Sequence, residues 1–256
     1  MLKRVLVCLT FVAATAAVAC GGGAPSQQEG GGATPAPAPA APAAPIGASV
    51  ISGSVKLEGT PPEARVIRMT SDPLCMPEGP TLSEVVLVGP GNGLQNVFVY
   101  VKDGLGDRTF TAPTTPVVLD QRGCKYMPHV FGAQVGQPVK IVNSDGTLHN
   151  VHAVPKENTE FNFGQPLKGM ESTQTFTKSE IMVPFRCDVH RWMNSFVGVV
   201  AHPFFAVTGA DGAFELKGLP PGTYTVEAWH EKFGTKTASV TIGAKESKDI
   251  AFAFSG

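Results

Sequence analysis

The sequence predicts an all-β protein built from sandwich domains. Three features carry that prediction: short runs of β-branched and aromatic residues, turn residues at regular intervals between them, and no stretch that keeps a helical period. Residues 50–57 (VISGSVKL) form the first run, which stops at the turn Gly59-Thr60-Pro61-Pro62. Residues 96–101 (NVFVYV) form the next. Residues 138–142 lead into Asn143-Ser144-Asp145-Gly146, a strong turn signal because Asn, Asp and Gly tolerate the backbone of a tight reversal. Further runs follow at 172–177, 181–187 and 195–201. Beyond them the alternation is regular. Phe214 and Leu216 form one apolar set; Tyr224, Val226 and Ala228 form a second, Ala238, Val240 and Ile242 a third, and Ile250, Phe252 and Phe254 a fourth. Turns stand at Asp211-Gly212 and at Leu219-Pro220-Pro221-Gly222. Side chains on a strand point to alternate faces, so each set belongs to one half-buried sheet surface.

The N-terminal part reads differently. Lys3 and Arg4 precede an apolar stretch over 5–18 that is short for a membrane span, and the chain continues Ala17-Val18-Ala19-Cys20. Residues 1–19 are therefore expected to be an export signal. The small residues before Cys20 resemble a bacterial lipobox, which implies Cys20 as a lipidated first residue, although Ala17 stands where Leu is usual. A plain secretory cut after Ala19 is the other reading. Residues 20–47, with Gly21-Gly22-Gly23 and the run Thr34-Pro35-Ala36-Pro37-Ala38-Pro39, lack the apolar content to fold and form a tether. The expected location is the cell envelope, lipid-anchored and facing the periplasm or exterior, with secretion if the lipobox is not used. A formal net charge of -1 with 16% charged residues gives no basic face for nucleic acid.

Five cysteines are present. Cys8 leaves with the signal and Cys20 is assigned to the anchor, so Cys75, Cys124 and Cys187 remain in the folded part. An oxidising compartment favours one disulfide among them. Cys75 and Cys124 lie in loop-like segments, Pro73-Leu74-Cys75 and Gly123-Cys124-Lys125-Tyr126, and are expected to pair. Cys187 is then an odd thiol, and it opens the sequence Cys187-Asp188-Val189-His190-Arg191-Trp192-Met193. A thiolate, an imidazole and a thioether on one short loop make a soft, mixed donor set that suits copper better than magnesium, calcium or zinc.

The missing second nitrogen lies upstream, in GQPVKIVNSDGTLHNV. This segment and FRCDVHRWM are similar to the two ligand-bearing segments of the cupredoxins, the blue copper proteins, over about residues 129–201. The resemblance implies a Greek-key β-sandwich with one type 1 copper held by His149, Cys187, His190 and Met193, the methionine as weak axial ligand. It also implies that the Asn150 backbone amide donates a hydrogen bond to the thiolate. Val189 stands where the family often has Pro, Asp188 and Arg191 bring charge into the loop, and Phe185 replaces a common Tyr. His152, three residues from His149, is expected on the opposite strand face beside the site, with the alternative that it replaces His149 as ligand. His129 reads as a satisfied loop histidine near the rim at most. Trp192 lies either in a surface patch through which electrons pass or packed beneath the loop.

Residues 205–254, with VTGADGAFELKGLPPGTYTVEAW, resemble the second half of the carboxypeptidase regulatory-like, transthyretin-like sandwich. Its first strands are sought in VISGSVKLEGTPPEA and NVFVYVKDG. The expected organisation is thus N-terminal sandwich strands at 48–112, a cupredoxin-like domain at 113–204 inserted into that small sandwich, and the remaining strands at 205–256. No Gly-x-Ser-x-Gly or HExxH motif is present, and four protein ligands leave no open position for substrate, so the chain is not expected to be an enzyme. Electron transfer with a redox partner protein is the expected role. A periplasmic or surface binding module with a structural or vestigial copper, and copper storage or delivery, are the alternatives.

Overall fold

The computed structural model describes residues 47–76 and 79–256. The export signal, Cys20 and nearly all of the tether lie outside the described residues. The described chain is all-β, as the alternation predicts, with two short 3-10 turns at Pro73–Cys75 and Pro90–Asn92. None of its helices is long and apolar enough to cross a membrane.

Two sandwiches share the chain. In the first, one sheet has Ser49–Glu58 between Ala213–Leu219 and Ser247–Ser255; the facing sheet orders Phe205–Val207, Phe98–Asp103, Gly222–His230 and Gly234–Ile242. Ser49–Glu58 runs antiparallel to Ala213–Leu219, pairing Ile51 with Leu216, and parallel to Ser247–Ser255, pairing Val55 with Phe252 and Leu57 with Phe254. The first strand of the fold thus lies beside the last, and everything between 104 and 204 is a detour. Ile51, Val55, Leu57, Leu216, Tyr224, Val226, Ile242 and Phe254 meet in one core. At the Asp211-Gly212 turn, Gly212 has φ +72°, and a Cβ there would come within 2.2 Å of the Val55 carbonyl oxygen, so the turn needs glycine.

The second sandwich lies within 117–200. One sheet orders Phe161–Gln165, His149–Ala153, Glu180–Arg186, Asn194–Val200 and Val130–Gln134; the other orders Glu171–Thr175, Pro138–Asn143, Val117–Gln121 and Tyr126–Met127. Its core gathers Leu119, Ile141, Val151, Phe176, Phe185 and Val197. Part of the long connection between Ser49–Glu58 and Phe98–Asp103 leaves the first sandwich, to which Val86, Val88, Leu94 and Val97 return. Met69 and Ile67 pack into the second core, and Cys75 is disulfide-bonded to Cys124 with a Cα–Cα separation of 5.5 Å. Of the segment 48–112, only the two strands Ser49–Glu58 and Phe98–Asp103 belong to the first sandwich's sheets.

The sandwiches meet at a third apolar cluster containing Phe98, Tyr100, Val130, Met182 and Val200, with Phe205 and Trp229 against it. Gly132 and Gly198 stand opposite each other in neighbouring strands and leave the backbone bare beneath these rings. A Cβ on Gly198 would lie 2.4 Å from Phe98 Cζ and 2.7 Å from Met182 Cε, and one on Gly132 would lie 2.3 Å from Phe205 Cε2. His129, buried, adds a hydrogen bond across the same contact, its Nε2 lying 2.7 Å from Glu231 Oε1.

Two predictions follow from this packing. Gly198→Ala should destabilise the protein by about 1–3 kcal/mol, because a methyl group is forced into a filled space; denaturant unfolding measures it. His230 is buried in the first sandwich, where its Nδ1 accepts hydrogen bonds from the backbone N–H groups of Lys232 (3.1 Å) and Phe233 (3.4 Å). Burial lowers its pKa from 6.5 to about 4. Well above pH 6.5 the ring is neutral whether folded or not, and its environment is compatible with folding. As pH falls toward 4 the unfolded chain takes up a proton that the folded chain refuses, so up to about 3 kcal/mol is lost. His230→Asn, which keeps a neutral acceptor, should flatten that part of the stability–pH curve.

Candidate metal centre

The local chain dictates where each donor points. Along His149–Ala153 the inward positions are His149, Val151 and Ala153, all at 0% exposure. Asn150 and His152 therefore face the other way. His152 is held there: its Nε2 lies 2.7 Å from Glu160 Oε1, its Nδ1 lies 2.9 Å from Asp188 Oδ2, and Arg186 Nε donates to it at 3.2 Å. It is not among the residues whose donor atoms converge.

Those residues are His149, Cys187 and His190, all buried, with ligand atoms within 4.8 Å of one another. The Glu180–Arg186 strand ends at Cys187, and the chain turns back so that Met193 N–H donates to the His190 carbonyl (2.8 Å) and Cys187 N–H to the Met193 carbonyl (3.2 Å). His190 Nδ1 is 3.0 Å from His149 Nδ1 and 3.9 Å from Cys187 Sγ. The sulfur accepts from the backbone N–H groups of Asn150 (3.4 Å) and His190 (3.3 Å). Asn150 Oδ1 in turn accepts from Asp188 N–H at 3.0 Å, and the Tyr126 hydroxyl donates to the carbonyls of Asn150 and Arg186, bracing the two donor-bearing strands together. Met193 is buried in the same core cluster as Cys187.

The outer edges of both imidazoles meet carboxylates. His149 Nε2 is 2.9 Å from Asp145 Oδ2. Asp145 is fixed by the turn that begins at Asn143: Asn143 Oδ1 accepts from Asp145 N–H, and the carboxylate accepts from Gly123 N–H and Cys124 N–H, both at 2.8 Å. His190 Nε2 is 3.1 Å from Asp72 Oδ2, which also accepts from Thr147 Oγ1 at 2.7 Å. Asp72 comes from the connection that crosses from the first sandwich, pinned three residues later by the Cys75–Cys124 disulfide. Both cysteines are spent in that bond, so the other acidic and sulfur groups near these histidines frame the centre and do not form a second one.

The consequence is electrostatic. If each Nε2–H donates to its carboxylate, each Nδ1 is left with a bare lone pair, and the two lone pairs face one another across 3.0 Å beside a sulfur. Such an arrangement needs a cation between the donors. In the polypeptide alone a proton serves: burial works against charging His149, but Asp145 and Cys187 outweigh it and raise its pKa to about 9. His190 is then lowered, by burial first and by the charge on His149 second. Burial opposes ionisation of Cys187, yet hydrogen bonds from His149 and from backbone amides lower its pKa overall. A thiolate and two inward nitrogens are what a soft transition metal requires. Two nitrogens bound to one first-row ion at about 2.0–2.1 Å each fall roughly 3 Å apart or slightly more, and a nitrogen and a sulfur roughly 3.5–4 Å apart. The observed separations fit that set.

The carboxylate partners were not legible as site residues. Asp145 carried a local signal, since it lies four residues before His149 in an Asn-containing turn. Asp72 carried none beyond its nearness to Cys75. Trp192 packs on the site: its ring centroid is 5.0 Å from that of His190, and its Nε1–H donates to the Cys124 carbonyl at 2.9 Å.

Residues 198–255 match the family model of the carboxypeptidase regulatory-like domain. The match begins at the end of the second sandwich and omits Ser49–Glu58 and Phe98–Asp103, which fill central positions in the two sheets it describes. No curated protein matches the chain. Among solved structures, the chain is similar to a Cu-containing nitrite reductase from Thermus scotoductus SA-01, at 24% identity over 37% of this chain and 24% of that one, with a TM-score of 0.30. It is also similar to a mutant amicyanin in its Cu(I) form, at 24% identity over 40% of this chain and 97% of that one, with a TM-score of 0.30. An oxidized amicyanin mutant aligns at 21% identity over 46% and 93%, with a TM-score of 0.31. The chain spans about a quarter of the nitrite reductase. At these scores the likenesses add nothing to the geometry of the centre.

The hydrogen bonds behind the imidazoles yield a direct expectation. Asp145→Ala should weaken binding of a thiolate- and imidazole-seeking metal such as Cu(II) or Co(II) by about 10–100-fold. Competition against a chelator of known affinity measures the loss.

Proposed function

We propose that this protein is an envelope-anchored type 1 copper protein that acts in electron transfer and is not an enzyme. The observation that carries the reading is the pair of inward Nδ1 atoms of His149 and His190, 3.0 Å apart beside Cys187, each ring tied behind to a carboxylate. His149, Cys187 and His190 would hold the ion, with Met193 as axial donor. Copper bound there supplies one-electron redox chemistry. The polypeptide's part is to keep donor positions fixed. Asp145 and Asp72 hold the two rings, the Asn150 and His190 amides hold the sulfur, and the two sandwiches with their disulfide hold the segments that bring these groups together. A frame that does not rearrange between oxidation states suits rapid electron exchange.

Burial argues for this role over storage or delivery. His149, Cys187, His190 and Met193 are each no more than 2% exposed, and the disulfide-pinned connection lies over His190. A site meant to hand its metal on needs an accessible edge. The absence of an open coordination position in the proposed set argues against substrate chemistry. The resemblance of the leader to a lipobox supports export and anchoring through Cys20, followed by a tether that lets the folded part reach its redox partner.

Loading with one equivalent of Cu(II) is expected to give an intense visible thiolate-to-copper band. Cys187→Ser should abolish it, His149→Gly should bleach or shift it, and His152→Gly should leave it in place. A colourless protein that takes up no stoichiometric copper contradicts the proposal.

A further inference from the structure

Arg65, Arg68 and Arg191 line one cleft of about 550 Å³ together with Lys125, Glu84 and Trp192. Lys125 is paired with Glu84 at 3.6 Å. The three arginines are exposed, and none has a carboxylate partner among the described residues. A chain of formal net charge -1 therefore concentrates unneutralised positive charge in one concavity. One wall is the connection from the first sandwich, and the other is the loop that carries His190 and Met193.

The cleft also reaches the metal centre. No proposed ligand contacts bulk solvent to any useful extent, and the outer edge of His190 is covered by Asp72 and by Cys75 Sγ at 3.7 Å. Trp192 is half-buried, lines the cleft, and lies against the His190 ring with centroids 5.0 Å apart and planes tilted by 39°.

We propose that this cleft docks a small anionic one-electron carrier and that Trp192 is the contact through which the electron passes to His190. The inference rests on the electron-transfer reading for its purpose. A volume of this size is that of a small-molecule site, and Trp192 forms part of its wall opposite Arg65 and Arg68. Guanidinium groups pair with carboxylate, phosphate or sulfonate oxygens two at a time. Their field raises the local concentration of an anion and its rate of encounter. In the step, the carrier loses one electron and the centre gains one; no bond forms or breaks and no proton is transferred.

The test has two arms. Hexacyanocobaltate(III), a redox-inert trianion, is titrated at low ionic strength into the metal-free protein while the Trp192 indole N–H resonance is followed. A saturable shift is expected, and it should vanish in Arg65→Glu/Arg68→Glu. In the copper-loaded protein, reduction by hexacyanoferrate(II) should slow by about tenfold or more in the same variant, whereas reduction by cationic hexaammineruthenium(II) should not slow. No shift, a shift that survives charge reversal, or equal rates with hexacyanoferrate in both proteins overturns the proposal. A protein that takes no copper overturns the electron-transfer reading and the Trp192 route with it, while the hexacyanocobaltate arm still decides the docking site.

Discussion

The centre depends on one constraint: two imidazole rings are each held from behind by a carboxylate, so that their remaining nitrogens converge. A histidine side chain alone chooses freely which nitrogen to present. Asp145 on His149 Nε2 and Asp72 on His190 Nε2 remove that choice and set both Nδ1 lone pairs against each other beside the Cys187 sulfur. The repulsion between them is tolerable only with positive charge in the gap. In the polypeptide alone, Asp145 and Cys187 overcome burial and raise the pKa of His149, while burial and then the charge on His149 lower that of His190.

That constraint gives a physical reason for the architecture. The first sandwich opens between Phe98–Asp103 and Phe205–Val207 to admit the second, and the connection before Phe98–Asp103 wanders across to supply Asp72 and Cys75. A free-standing second sandwich would carry His149, Cys187, His190 and Asp145, but not the group behind His190. The glycine pair Gly132 and Gly198, with the Phe98 and Phe205 rings seated over it, fixes the two sandwiches against each other. The disulfide then fixes the connection. Precision at the centre is thus assembled from three separate parts of the chain.

What the sequence disclosed follows the same division. Alternation over Tyr224, Val226 and Ala228, and over Phe252 and Phe254, is a local property, and it revealed the strands and the all-β class directly. Cys187, His190 and Met193 stood out because they share one short loop, and His149 through the resemblance of its His-Asn-Val segment; alternation put His149 and His152 on opposite faces without saying which face is inward. Asp72 was invisible, since its role depends on a contact with His190 more than a hundred positions later in the chain. The bare backbone at Gly132 and Gly198 was equally silent, because an isolated glycine in a strand does not say which ring will cover it. Trp192 was left between a surface role and a packing role, and its half-buried position on His190 combines the two.

The most direct measurement is a crystal structure of the copper-loaded protein with anomalous diffraction at the copper edge. The account predicts one copper between His149 Nδ1, His190 Nδ1 and Cys187 Sγ, with Asp145 and Asp72 still on the Nε2 atoms. Copper bound through either Nε2, copper at His152, or no copper in this cluster would contradict it.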